Sequence, residues 1–181
     1  HSDHVQGIGT VSKKYDIPVF ANFKTWDAMK TQKEKIANNN IKIFENDTEF
    51  IIGNLQIMPF STPHDAANPC GFSICNGTKK ISIATDLGHI TQNILSNIKD
   101  SKFMLLEANY EPEILKLSKY PYALKQRIAG PYGHISNIEA GKTISHLFGN
   151  ELKEVMLGHL SKENNFPELA YKTVTEELIH N

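Results

Sequence analysis

Short β-rich runs alternate with helical patterns from one end of this 181-residue chain to the other, and no long linker, repeat or low-complexity tract interrupts them. That alternation restricts the chain to an α/β fold. Strands are expected at Val19 to Ala21, Phe50 to Ile52, Leu55 to Phe60, Gly71 to Asn76, Lys80 to Ala84, Phe103 to Glu107 and Glu154 to Leu157. Asn76-Gly77 separates Phe72-Ser73-Ile74 from Ile81-Ser82-Ile83, a turn signal that makes those two runs antiparallel neighbours. Ser136 and Glu139 form an S-x-x-E capping box ahead of a helix whose Ala140, Ile144, Leu147 and Phe148 share a face, and Gly149-Asn150 ends it. A last helix follows Pro167, with Ala170, Val174 and Leu178 along its buried side. Trp26 and Met29, three residues apart on a helical face, belong in the core. With 40% apolar residues and no composition break, residues 1–181 read as one domain.

A net charge of −1 excludes nucleic-acid binding by overall positive charge and leaves room for a local basic patch. One such segment carries Lys116, Lys119, Lys125 and Arg127 without an intervening acidic residue, interleaved with Tyr120 and Tyr122. Cations and rings together can follow a phosphate backbone and stack on unpaired bases, although a solvated helix face accounts for the run equally well. The two cysteines, Cys70 and Cys75, are too few for a disulfide framework and lack zinc-knuckle spacing, so reduced structural thiols are expected. No apolar run approaches the roughly 20 residues of a membrane helix, and no leader opens the chain, which points to a soluble cytoplasmic protein with no membrane partner.

The chemistry-bearing residues lie at the ends of expected strands. The opening His1-Ser2-Asp3-His4 is a weak signal alone, but His64 follows in Ser61-Thr62-Pro63-His64-Asp65, then Asp86, then His159 in Gly158-His159-Leu160-Ser161. Loops that follow strand ends can bring such side chains together. Imidazoles and carboxylates are ligands for zinc, manganese or iron, and one carboxylate can bridge two ions through its two oxygens. A pair of ions about 3.5–4 Å apart suits in-line displacement at phosphorus. Glu107 and Asn109, also at a strand end, either support that site or are a plain polar strand terminus. His89, His146 and His180 are expected outside it.

An HxHxDH motif, then an isolated His, an Asp after a strand and a late His form the ordered signature of the metallo-β-lactamase superfamily, and this chain resembles it. His1, Asp3 and His4 match the second to fourth elements of the first motif. The resemblance narrows to the YycJ (WalJ) group of nucleases through Gly7-Ile8-Gly9, Tyr15-Asp16-Ile17-Pro18-Val19-Phe20-Ala21-Asn22, Thr25-Trp26 and Leu106-Glu107-Ala108-Asn109. It continues through Tyr120-Pro121-Tyr122, Leu124-Lys125-Gln126-Arg127-Ile128, Gly133-His134-Ile135-Ser136-Asn137 and the segment from Leu157 to Asn165. Tyr110 departs from the His found there in many relatives.

The resemblance implies an αββα sandwich whose opening strands, first His and final tail lie outside this sequence. It implies two divalent ions, zinc, manganese or iron, with His1 and His64 on the first, Asp3, His4 and His159 on the second, and Asp86 bridging both. A bridging water made acidic by these cations would attack phosphorus as hydroxide. His134, where RNase Z-like relatives keep a His-Ser-Thr loop, would contact phosphate or protonate the leaving oxygen; a helix-entry His bonded to its neighbours is the alternative. Asp3 is assigned a catalytic role beside its ligand role, and Ser136, Asn137, Lys125 and Arg127 contact with substrate. The implied activity is a phosphodiesterase acting on nucleic acid, a 5′-3′ exonuclease on DNA in the cytoplasm, with any oligomer pairing through the sheet edge that missing strands would expose.

Two other functions fit the same residues. A glyoxalase II type thioesterase uses the same scaffold but other residues where this chain has Gly133-His134-Ile135-Ser136, and a non-catalytic scaffold form needs no chemistry at all. A flavodiiron oxidoreductase is disfavoured, since that branch places Glu where His1 stands.

Overall fold

In a computed structural model, which describes residues 1–149 and 151–180 apart from the Ser2 side chain, the β-runs sort into two sheets among the described residues. A parallel pair, β1 (Val19–Asn22) and β2 (Ile41–Phe44), precedes a six-stranded sheet. That sheet is formed by β3 (Phe50–Ile52), β4 (Leu55–Ser61), β5 (Cys70–Asn76), β6 (Lys79–Ala84), β7 (Phe103–Glu107) and β8 (Glu154–Gly158), neighbours in that order. β3 to β6 form an antiparallel meander, and β6, β7 and β8 are parallel. The expected hairpin is present: Asn76 pairs with Lys79, and Gly77 opens the two-residue turn at φ 59°, the positive value such turns require there.

Short helices α1 (Ser2–Val5), α2 (Ile8–Tyr15), α3 (Phe23–Ala28) and α4 (Lys30–Lys33) surround β1 and β2. Then come α5 (Gln92–Ile98), α6 (Pro112–Leu117), α7 (Tyr122–Ile128), α8 (Asn137–Leu147) and α9 (Pro167–His180). Both halves of the capping box are made at the start of α8: the Ser136 hydroxyl accepts from the Glu139 amide, and the Glu139 carboxylate accepts from the Ser136 amide. Such a cap is worth about 1 kcal/mol. The helix stops one residue earlier than its apolar pattern suggested. Phe148 turns to an extended backbone as the C-cap and is exposed rather than buried, Gly149 follows at φ 90°, and Asn150 lies outside the described residues.

The main core joins Phe60 of β4, Ala84 of β6, and Met104 and Leu106 of β7 to Ile94 and Ile98 of α5, Ala140, Ile144 and Leu147 of α8, and Ala170 and Val174 of α9. A second, smaller cluster of Ala21, Trp26, Met29 and Ile36 holds α3 and β1 together, and the Trp26 indole donates to the Lys42 carbonyl of β2 (2.8 Å). β2 is the strand that sequence pattern does not announce. Its four residues show no alternation of burial, and its pairing with β1 crosses the intervening helices. On the other side of the main sheet's meander, three buried hydroxyls form a chain: Ser101 lies 2.7 Å from Ser82, Ser82 lies 2.9 Å from Ser73, and Ser73 donates to the Asn97 carbonyl (2.6 Å).

Candidate metal centre

Strand direction decides where the site forms. Because β4 and β5, and β5 and β6, are antiparallel while β6, β7 and β8 are parallel, the C-terminal ends of β4, β6, β7 and β8 lie along one edge of the sheet. Each of these four ends carries a chemically able residue: His64 after β4, Asp86 after β6, Glu107 closing β7 and His159 after β8. Ligand sites in α/β sheets form outside such carboxyl ends. Asp86 and His159 both take left-handed backbone, at φ 57° and 54°, which costs on the order of 1–2 kcal/mol for a residue with a side chain. The surrounding hydrogen bonds hold them there. Leu87 donates its amide to Glu107 (2.8 Å), Gly88 donates to the Pro63 carbonyl (2.7 Å), and the Asn109 side chain donates to the His159 carbonyl (2.8 Å).

The expected ligands converge. Asp86 is central: one oxygen lies 3.2 Å from His64 Nε2 and 3.8 Å from His159 Nε2, and the other lies 3.0 Å from His4 Nε2. His1 Nδ1 faces His64 Nε2 at 3.3 Å, and Asp3 lies 3.4 Å from His4 Nε2 and 3.7 Å from His159 Nε2. His64 donates its Nδ1 proton to the Gly133 carbonyl (2.9 Å), which leaves Nε2 as the lone-pair nitrogen turned toward the cluster. Asp3, His4 and His159 form one group of donor atoms compact enough for a cation, and His1, His64 and Asp65 form another, with Asp86 in contact with both. Imidazoles and carboxylates turned inward in this way fit divalent zinc, manganese or iron.

Beneath these residues lies Glu107, fully buried. One of its oxygens accepts from His134 Nδ1 (2.7 Å) and from His159 Nδ1 (2.6 Å), while the other accepts the amides of Leu87 and Ile135. Burial pushes the Glu107 carboxyl up, but the two imidazoles overcome it and hold the group below the usual carboxylate range. In return, the hydrogen bond to Glu107 raises His159 to about 9, against the opposing effect of burial. The shared oxygen fixes two ring tautomers, so both His134 and His159 present Nε2 outward. His134 stands between the ligands, its ring centroid 4.9 Å from that of His64 and 5.2 Å from that of His159.

The remaining expected site residues are distributed differently. Arg127, on α7, reaches Asp65 (2.5 Å), and the guanidinium is the main reason that the Asp65 carboxyl is lowered. Lys125 turns its ammonium to the Lys116 carbonyl (2.6 Å), toward α6. Ser136 spends its hydroxyl on the cap of α8, and Asn137 is fully buried with its amide on Glu111 (2.9 Å) and Asn165 (3.1 Å), so neither turns a free polar group to the cluster. His89 braces the Pro131 carbonyl (3.0 Å), while His146 and His180 are exposed on α8 and α9. Cys70 and Cys75 are free thiols, and burial pushes Cys70 up to about 12. Asp65, absent from the expected ligands, joins His1, His64 and Arg127; its only sequence signal was adjacency to His64. A cleft of about 800 Å³ opens beside the cluster, with His4, His64 and Asp86 among its polar lining and Ile8, Phe44 and Phe72 among its apolar lining.

Comparison with known proteins gives a consistent picture. Residues 1–159 match the family described as beta-lactamase superfamily domain. The chain is 34% identical over 178 residues to a Bacillus anthracis protein named exodeoxyribonuclease YycJ, covering 98% of this chain and 67% of that protein. It is 36% identical over 180 residues to exodeoxyribonuclease WalJ of Streptococcus pneumoniae serotype 2, with the same coverage. Among solved structures it resembles the metallo-beta-lactamase fold protein YhfI from Bacillus subtilis, at a TM-score of 0.69 and 18% identity over 99% of this chain and 67% of that one.

Proposed function

The chain belongs to the beta-lactamase superfamily, and on that premise we propose that it is a metal-dependent nuclease, a 5′-3′ exonuclease acting on DNA. The carrying observation is the Glu107 carboxylate that orients His134 and His159 with one oxygen, placing an outward Nε2 beside a set of inward-facing ligands. His1, His64 and Asp86 would hold one cation and Asp3, His4, His159 and Asp86 a second. Two divalent ions so held would supply Lewis acidity, lowering the pKa of a water and neutralising charge on the phosphate. With its ring doubly protonated, Nδ1–H held by Glu107, His134 would donate from Nε2 to a phosphate oxygen or give that proton to the leaving oxygen as the P–O bond breaks, and Asp3 would accept the proton of the attacking water. Exposed Arg127 and half-buried Lys125 offer cations to the phosphates beyond the scissile one. Ser136 and Asn137 support the reaction by fixing the loop that carries His134.

This reading treats residues 1–181 as one hydrolase domain, and a DNA substrate places its action in the cytoplasm. Among the described residues no helix is long and apolar enough to cross a membrane. Pairing with a second copy would use the edge strands β3 or β8. The test is hydrolysis of bis(p-nitrophenyl) phosphate, of single- and double-stranded DNA labelled at either end, and of a glutathione thioester, each with metal content measured. Stepwise release of nucleotides from 5′ ends is expected. Thioester cleavage without phosphodiester cleavage would replace the proposal with a glyoxalase II type function, and inactivity at full metal content would leave the scaffold reading.

A further inference from the structure

The loop between α7 and His134 carries a feature that metal and proton chemistry leave unused. Tyr132 is 62% exposed, and its side chain has no hydrogen bond or ring contact among the described residues. Its backbone, by contrast, is tied into the site. The Tyr132 carbonyl accepts from the Asp65 amide (3.0 Å), the next carbonyl, of Gly133, accepts from the ligand His64, and the preceding one, of Pro131, accepts from His89. The turn is closed by the Gly133 amide on the Gly130 carbonyl (2.9 Å) and the His134 amide on the Ile128 carbonyl (2.8 Å). Two glycines permit this packing: a Cβ on Gly88 would come within 2.1 Å of the Pro131 oxygen, and one on Gly133 within 2.2 Å of the Arg127 and Ile128 oxygens. Tyr132 is therefore an exposed ring on an immobilised backbone, one residue from a carbonyl that orients a candidate metal ligand.

Its neighbour in function is Arg127, whose guanidinium also meets Asp65. The backbone that carries an exposed ring and a guanidinium that can meet a phosphate are thus both tied to one aspartate, Asp65, beside the ligand His64. Other exposed rings, Phe23, Tyr122 and Tyr171 among them, lack such ties to the cluster among the described residues. On a fixed backbone only the two side-chain torsions of the ring have to settle when a base stacks on it, a small entropy cost, and base–aromatic stacking is tolerant of sequence because every base has a flat face.

We propose that Tyr132 is a base-stacking platform for an unpaired nucleotide next to the scissile phosphate, making the enzyme read single-stranded ends without reading their sequence. This rests on the nuclease reading above. The test removes the ring and the base separately and together: wild type, Tyr132→Ala and Tyr132→Phe are assayed on single-stranded oligonucleotides carrying either normal bases or one abasic tetrahydrofuran residue at the terminal or penultimate position of each end. In wild type, removing the stacked base should lower kcat/KM about 10-fold, mainly through KM. In Tyr132→Ala the normal strand should be that much poorer and the abasic strand no poorer still, while Tyr132→Phe should keep the wild-type preference. Equal losses for Tyr132→Ala on normal and abasic strands would make the residue merely structural, and undiminished activity on normal strands would remove it from recognition; either result overturns the proposal while DNA cleavage by wild type still stands. A wild-type protein that cleaves bis(p-nitrophenyl) phosphate but no DNA would overturn both.

Discussion

The candidate centre has two halves of unequal construction. His64, Asp86 and His159 leave strand ends, have side chains 3%, 15% and 24% exposed, and are backed by Gly133, Glu107 and the turns around them. Asp3 and His4 sit on α1, a four-residue helix, with side chains 61% and 44% exposed, and His1 precedes that helix. These three contact one another's partners and Asp65 but have no buried carboxylate beneath them among the described residues. A helix of that length has almost no stability of its own. The difference teaches that one half is organised by folding, whereas the other gains its order from what the first half offers it. Cation affinity should therefore be concentrated in the strand-end half.

The largest expected effect comes from the residue that touches both halves. Asp86→Ala should lose bound metal and phosphodiesterase activity together, down to the level of chelated protein, because two sets of imidazoles lose the carboxylate between them. Metal analysis on the purified variant checks this, and full retention of metal would remove Asp86 from its bridging place. His134→Ala, next in size, should keep its metals and melting temperature yet lose on the order of 10²–10⁴-fold in rate at saturating metal. Normal turnover there would leave no proton-transfer role for His134, and a lowered metal content would move it among the ligands.

Glu107→Gln addresses why the strand-end half is firm. It keeps the shape but removes the charge shared by two imidazoles, and a support of this kind typically contributes about 10–100-fold in metal affinity or activity. Metal titration should show the loss most clearly, and an unchanged affinity would mean that His159 needs no anchor. The smallest contrast sets the halves directly against each other: His64→Ala should weaken metal binding more than His1→Ala, although both side chains face the same cation position. Isothermal titration of the two variants measures this. Equal losses would mean that α1 is as well organised as the strand ends.

How far the sequence reaches follows the same division. Alternation, turn glycines and the capping box are local signals, so the strand runs, the β5–β6 hairpin and the start of α8 are legible without coordinates. The ordered His and Asp positions resemble a known signature, and the sheet edge then brings them together. Glu107 could be noticed only as a polar residue ending a strand, because the two imidazoles that give it meaning are 27 and 52 residues away. Asp65 depends likewise on Arg127, 62 residues on. For Ser136 and Asn137 sequence proximity to His134 suggested substrate, while burial assigns their hydrogen bonds to a helix cap and to the Glu111 and Asn165 side chains. Side-chain partnerships across long loops depend on tertiary geometry that no local pattern contains.

The hydroxyl chain behind the meander has a direction, and the acceptor at its end imposes it. The Asn97 carbonyl has no proton to give, so Ser73 must donate to it; Ser82 must then donate to Ser73, and Ser101 to Ser82. Of the three proton orders that three hydroxyls alone would allow, one is left. The three serines are consequently unequal in spite of similar burial. Losing the Ser101 hydroxyl removes only the first donor, and Ser82 keeps its acceptor, but losing the Ser73 hydroxyl strips the Asn97 carbonyl and leaves the Ser82 proton without its acceptor in the chain. The fold thus contains a polarised wire whose sense is written at one carbonyl, and its tolerance to change falls step by step toward that end.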